Sequence, residues 1–276
     1  MKKPVKITLI TVVVLAGVLV AADYGLAAAA EYQVSKKMKA ELNLASDPSV
    51  DIHGFPFITQ ALAGDYKDIS VNATGVPADK LRDLEVDADL YHVRVKLSDL
   101  LSGNVSSVKV DEVDGQVQLK ASDVGRLLGL PDLTINPVSL DTVLGTGAQD
   151  AEDQKEQQQD PGDSEPMAQQ AGVELTATLN IAGEKTSVNA FGVISLSKGA
   201  VHITPKHLQL SNGLVSGQIP DSLLQGFLGQ FGTSLSSSNL PLPFSVDATG
   251  VEVQSGALIV QGKADNLVLS GNGVSQ

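Results

Sequence analysis

The sequence has no cysteine and no tryptophan in 276 residues, and only 6 Phe and 4 Tyr. Without cysteine there is no disulfide framework, no thiolate metal site, no cysteine nucleophile and no lipidated-cysteine anchor. With so few aromatics, Val, Leu, Ile and Ala must pack the core. That composition favours β-structure filled by branched aliphatics. Positive charge is also scarce: 19 Lys and Arg stand against 32 Asp and Glu, a formal net charge of −13. This balance argues against nucleic acid as a partner.

The acidity is unevenly spread. Gly147–Gly172 holds Asp150, Glu152, Asp153, Glu156, Asp160, Asp163 and Glu165 against Lys155, a net of −6. The stretch is almost devoid of large apolar residues, so it cannot offset the entropy of ordering. It reads as a disordered acidic linker between two halves, residues 23–146 and 173–276. Elsewhere the body is only mildly acidic.

The N-terminus (residues 1–22) carries the address. Lys2, Lys3 and Lys6 precede an apolar run of 16 residues from Ile7 to Ala22. A basic start followed by an apolar core is the export pattern, with the lysines kept on the cytoplasmic side. The run is slightly long for a signal core and short of the ~20 residues that comfortably span a bilayer. Cleavage near Val20-Ala21-Ala22 or Ala27–Ala30, and retention as a membrane anchor continuing through Tyr24–Leu42, both fit. A buried core helix fits poorly with the lysine cluster.

Roughly 235 residues then follow, enough for one large domain or two small ones. Their dominant pattern is alternation in period two. Ile69, Val71 and Ala73 alternate with Asp68, Ser70 and Asn72, and Leu84, Val86, Ala88 and Leu90 with Glu85, Asp87 and Asp89. After Leu90 the apolar parity shifts to Val93, Val95 and Leu97, as a bulge would produce. Val113, Gly115, Val117 and Leu119 continue the habit, as do Leu175–Ile181, Val188–Leu196 and Val201–Leu210. Turns are expected at Lys198-Gly199, Gly250 and Ser255-Gly256. These are half-buried antiparallel strands.

Short apolar helices are expected at Ser98–Leu101, Ser122–Leu128 and Pro220–Phe231, the first two opened by a capping serine. The fold class is therefore α+β and mostly β. Gly125, Gly129, Gly226 and Gly229 suit either mobile lids or a loosely packed core cap.

The inventory for chemistry is poor. His53, His92, His202 and His207 are the only histidines, and none forms a helical metal pair. Ser98 and Ser102 lack the glycine framework that exposes a nucleophile, and no phosphate-cradling loop is present. The residues call for no catalytic group, no metal and no cofactor.

The informative stretch is Gly54-Phe55-Pro56-Phe57-Ile58-Thr59-Gln60, then Gly64 and Tyr66. A strand, a Gly-Phe-Pro-Phe turn, a short apolar helix and a second strand follow one another. Phe55 and Phe57 either plug one end of the core or line the mouth of an apolar cavity.

This arrangement, with the later Leu240–Phe244, resembles the LmeA-like family of actinobacterial envelope proteins over about residues 24–270. The resemblance implies an exported phospholipid- or glycolipid-binding protein supporting envelope lipoglycan assembly. It also implies long curved antiparallel sheets similar to the tubular lipid-binding proteins. No catalytic residue is carried over. Apolar lining is expected from Phe55, Phe57, Ile58, Leu62, Leu127, Leu128, Leu223, Leu224, Phe227 and Leu228. The alternatives are an anchored scaffold or interaction protein stabilising an envelope enzyme, a glycosyltransferase being one candidate partner, and an enzyme using paired carboxylates.

Overall fold

A computed structural model of the chain describes residues 3–78, 81–102, 107–144, 168–181, 184–197, 200–210, 247–270 and 273–275. The elements in chain order begin with α1 (Lys3–Leu42), β1 (Ser49–His53), α2 (Phe57–Ala63), β2 (Asp65–Ala78) and β3 (Leu81–Arg94). Then come α3 (Leu97–Ser102), β4 (Ser107–Lys120), α4 (Ala121–Leu128), β5 (Thr134–Val138) and α5 (Leu140–Leu144). The remainder is β6 (Gln170–Ile181), β7 (Glu184–Ser197), β8 (Ala200–Leu210), β9 (Asp247–Gln254), β10 (Ala257–Ser270) and β11 (Gly273–Ser275). One sheet runs β1-β2-β3-β4-β10-β11, with β9 also on β10, and a second runs β5-β6-β7-β8. The resolved pairings are antiparallel, as the alternation and the closely spaced turns require.

The chain divides into two units. The first comprises 1–76, 86–115 and 264–276; the second comprises 77–85 and 116–263. In the first, α1 packs on β1, α2 and α3. Its buried stripe is Asp23, Ala27 and Ala30, spaced at three to four residues as a helix face requires, with Ser35 buried further along. Small side chains let the helix lie close to β1. The helix stops where Asn43 turns left-handed (φ 53) and the Leu44 N–H donates to the Lys39 carbonyl at 3.0 Å. Asp47 then takes Lys36 at 2.5 Å and Lys39 at 2.9 Å, which holds its carboxyl below the usual carboxylate range.

The second unit packs β9 against β5 to β8. Val251 and Val253 of β9 are buried, as are Ile135, Val173, Leu175, Val188 and Ala190 of the strands it packs on. A buried carboxylate fixes α4 in this unit. Asp123 accepts from the backbone N–H groups of Arg82 at 3.1 Å and Asp83 at 2.7 Å, and the Arg126 guanidinium lies on its other oxygen. A Cβ at Gly125 would stand 2.3 Å from the Leu130 carbonyl oxygen. That glycine is a close-packing position, which makes α4 a fixed element of the core; Gly129 is its left-handed cap.

Several expectations change in detail. The apolar run and Tyr24–Leu42 form one unbroken helix. Ser122 lies inside α4 rather than capping it, because the helix begins at Ala121 with Lys120 before it. Gly250 is inside β9, where the partners of the consecutive β10 residues Gln261 and Gly262 jump from Gly250 to Ala248 past Thr249: a bulge stands in place of a turn. Ser255-Gly256 does turn β9 into β10. The parity shift after Leu90 coincides with His92 in the left-handed region (φ 52). β5, β11 and α5 are additional elements. Most of the acidic stretch, the turn at Lys198-Gly199 and the helix at Pro220–Phe231 lie outside the described residues, and β6 begins at Gln170.

Removing the Asp123 carboxylate leaves two strand N–H groups and a guanidinium without their acceptor. Asp123→Ala is expected to lower stability by about 3 kcal/mol, read as a fall in the urea midpoint. Asp123→Asn, which keeps one acceptor oxygen, should lose less. An Ala variant within about 1 kcal/mol of the parent would contradict this role for Asp123.

Candidate functional site

The Gly-Phe-Pro-Phe motif forms a knot between β1 and β2. Gly54 takes φ 97, and a Cβ there would meet the Gln60 side-chain nitrogen at 3.0 Å. The buried Gln60 amide donates to the carbonyls of His53 and Gly54, both at 3.2 Å, while its oxygen accepts from the Lys67 N–H at 2.9 Å. One side chain thus ties the end of β1 to the start of β2 across α2. Thr59 Oγ1 donates to the Pro56 carbonyl at 2.8 Å, inside the first turn of α2. Gly64 closes α2, and its carbonyl accepts from Val95 N at 3.0 Å.

The free N–H groups that start α2 are satisfied from α1. The buried Asp23 carboxylate accepts from Phe57 N and Ile58 N, both at 2.8 Å. A carboxylate suits a helix N-terminus, both as an acceptor for orphan donors and as the charge the helix dipole favours. Lower down α1, Glu31 accepts from Ile52 N at 2.9 Å and Ser35 donates to the Pro48 carbonyl at 2.6 Å. Nothing in the periodicity of the sequence identifies Asp23 as this cap, since its partners lie more than thirty positions away.

The motif's side chains divide. Phe57 is buried at 3% exposure, with its ring 6.1 Å from that of the fully buried Tyr66, whose phenol burial pushes up from its ordinary pKa. These two plug the core. The others face outward: Phe55 is 58% exposed and stacked on Tyr24, Ile58 46% and Leu62 82%. Leu127 and Leu128 belong to α4, in the other unit, and their side chains lie outside the described residues. Leu223, Leu224, Phe227 and Leu228 also lie outside them. Of the expected lining set, the described side chains are therefore Phe55, Ile58 and Leu62, which are exposed, and Phe57, which is buried.

A second apolar surface lies on the sheet of the first unit. Ser70 donates to Asp89 at 2.6 Å and pairs with His53 at 2.9 Å, and Asn72 pairs with Asp87, so these residues share the polar face. Alternation puts Ile69, Val71, Val86, Ala88 and Leu90 on the opposite face. That face continues the buried Ile52 and Val50 of β1, which pair in register with Ile69 and Val71. Where α1 covers β1, the apolar face is buried. Over β2 and β3, these five residues are only half-buried. In the middle, an ideal Cβ on Gly115 would sit 3.8 Å from the Ala88 Cβ. Two of the smallest side chains adjoin there, which leaves the strip shallow. Neither this strip nor its small centre was picked out as a site from the sequence, although the alternation that builds it was evident.

Among the described residues no group of three or more His, Asp or Glu is placed to hold a metal ion. His53 and His92 are exposed, and His207 stacks on Phe191 at 4.6 Å.

Asp23→Ala should free the first turn of α2. Hydrogen exchange of the Phe57 and Ile58 amides is expected to speed up by about tenfold or more, matching loss of a cap worth roughly 1–2 kcal/mol. Unchanged exchange at both amides would remove Asp23 from this role.

Comparison with curated proteins and with solved structures gave no match. The family described as LmeA-like phospholipid-binding matches residues 21–263, most of the chain, from just before Asp23 to within β10. The chain belongs to the LmeA-like phospholipid-binding family.

Proposed function

We propose that the chain is a non-catalytic phospholipid- or glycolipid-binding protein of the cell envelope, and that acyl chains lie on the apolar strip of β2 and β3. The strip's half-burial carries this reading. Its apolar side chains are placed as in a core, and among the described residues α1 packs on the β1 edge while the strip over β2 and β3 stays half-buried. Covering an apolar face by hydrocarbon is favourable in proportion to area and requires no directional partner. The shallow centre at Ala88 and Gly115 gives an acyl chain room against the sheet.

We infer that α1 is an anchor, holding the body on the outer side of the cytoplasmic membrane. α1 is long and apolar enough to cross a membrane. Its residues from Asp23 onward are built into the fold through Asp23, Glu31 and Ser35, so cutting within Ala27–Ala30 would remove a cap and two buried alanines. A role in lipoglycan assembly fits a lipid binder placed there.

The test is photolabelling of the full chain, in vesicles containing a phospholipid with a diazirine in its acyl chain. Label is expected on peptides spanning Ile69–Val71 and Val86–Leu90. Ala88→Phe, which fills the shallow centre, should cut that labelling by about fivefold or more with the urea midpoint little changed. Label confined to α1 would contradict the reading.

A further inference from the structure

The outward side chains of the motif have no role in the strip, and their position suggests another. Tyr24 follows directly on the apolar segment of α1. Phe55 stacks on it with ring centroids 6.1 Å apart. Asp23, the neighbour of Tyr24, holds the first turn of α2 by two hydrogen bonds of 2.8 Å. α2 is therefore fixed at the level where the apolar stretch of α1 ends. Ile58 and Leu62, four apart, share one face of α2 and are exposed together with Tyr24 and Phe55. The result is a group of exposed apolar side chains on the first unit, beside the end of the apolar segment.

We infer that Tyr24, Phe55, Ile58 and Leu62 form a membrane-docking surface, buried in the headgroup and upper acyl region of the bilayer leaflet that α1 enters. This deepens the anchor reading and rests on it. The occupant is a lipid surface because the patch continues an apolar helix that is itself exposed along residues 11–22. Aromatic rings bracket the edge of a bilayer in this way, with their apolar bodies at headgroup depth. A short apolar helix face lying in the interface adds buried area to a single anchor. Docking fixes the tilt of the body, because α1 runs without a break into the fold and α2 is tied to it. In this arrangement α2 is a foot, and Phe57, on its inner face, joins the foot to the core.

The absence of tryptophan makes the test clean. Single reporters are introduced as V14W, L62W and L42W in the full chain, reconstituted in equimolar phosphatidylglycerol and phosphatidylethanolamine vesicles. Part of the lipid is brominated, either high or deep in the acyl chain. Leu42 is the internal ruler: it lies nineteen residues beyond Asp23, roughly 28 Å along an α-helix. The expected result is quenching at position 62 by shallow bromine, at least about threefold stronger than at position 42, and quenching at 14 by deep bromine. Position 62 no more quenched than 42, with 14 quenched, would overturn the docking surface while leaving the anchor standing. Position 14 unquenched would overturn both.

A double variant, I58E/L62E, separates docking from lipid carriage. It is expected to abolish shallow quenching of a reporter placed by F55W while leaving acyl photolabelling of Val86–Leu90 unchanged. Lost photolabelling with quenching at position 55 intact would show instead that these residues line the lipid site, and would overturn the inference.

Discussion

One buried carboxylate joins the apolar segment to the folded body. Asp23 sits at the end of the apolar stretch of α1, and its two oxygens are committed to the N–H groups of Phe57 and Ile58. A buried carboxylate is costly unless it is hydrogen-bonded, and the N-terminus of α2 supplies donors that would otherwise be orphaned. Each side satisfies the other. The Gln60 amide then locks α2 to both strands that flank it, and α1 lies along β1 through small residues. The order of the first unit radiates from this contact.

The apolar surface of that unit is distributed in a way that core packing alone does not require. Val50, Ile52, Phe57 and Tyr66 are buried, as a stable core needs. Ile69, Val71, Val86, Ala88 and Leu90 continue the same face with partial exposure, and Tyr24, Phe55, Ile58 and Leu62 stand in solvent. Each partly exposed apolar group forgoes stabilisation in proportion to its uncovered area. The chain belongs to a phospholipid-binding family, and in the proposed function a phospholipid covers part of that surface. The second unit differs: β9 closes over its four-stranded sheet, and Asp123 pins α4 with ionic and backbone contacts.

Much of this was legible in the sequence because the alternation is strict where one sheet face is polar. The strands β2, β3 and β4 follow directly from it, and so does the irregularity at His92. The short elements β5, β11 and α5 were not legible: β1, equally short, shows Val50 and Ile52 between polar residues, whereas β5 contains Pro137 and α5 and β11 offer no such alternation. The motif is visible in the sequence, but the division of its side chains is set by tertiary packing. Phe55 and Phe57 are alike in sequence, separated by one proline, and only tertiary packing sends one into the core and the other onto Tyr24. Asp23 was invisible for another reason: a cap supplied from thirty-four residues away leaves no local signature.

The central claim is that a phospholipid is a stoichiometric occupant of this protein. Native mass spectrometry of the full chain, released from mild detergent micelles, tests it most directly. The account predicts a discrete adduct of one phospholipid mass, depleted by Ala88→Phe and retained by Leu62→Glu. A bare chain, or an unresolved ladder of adducts indifferent to both substitutions, would contradict it.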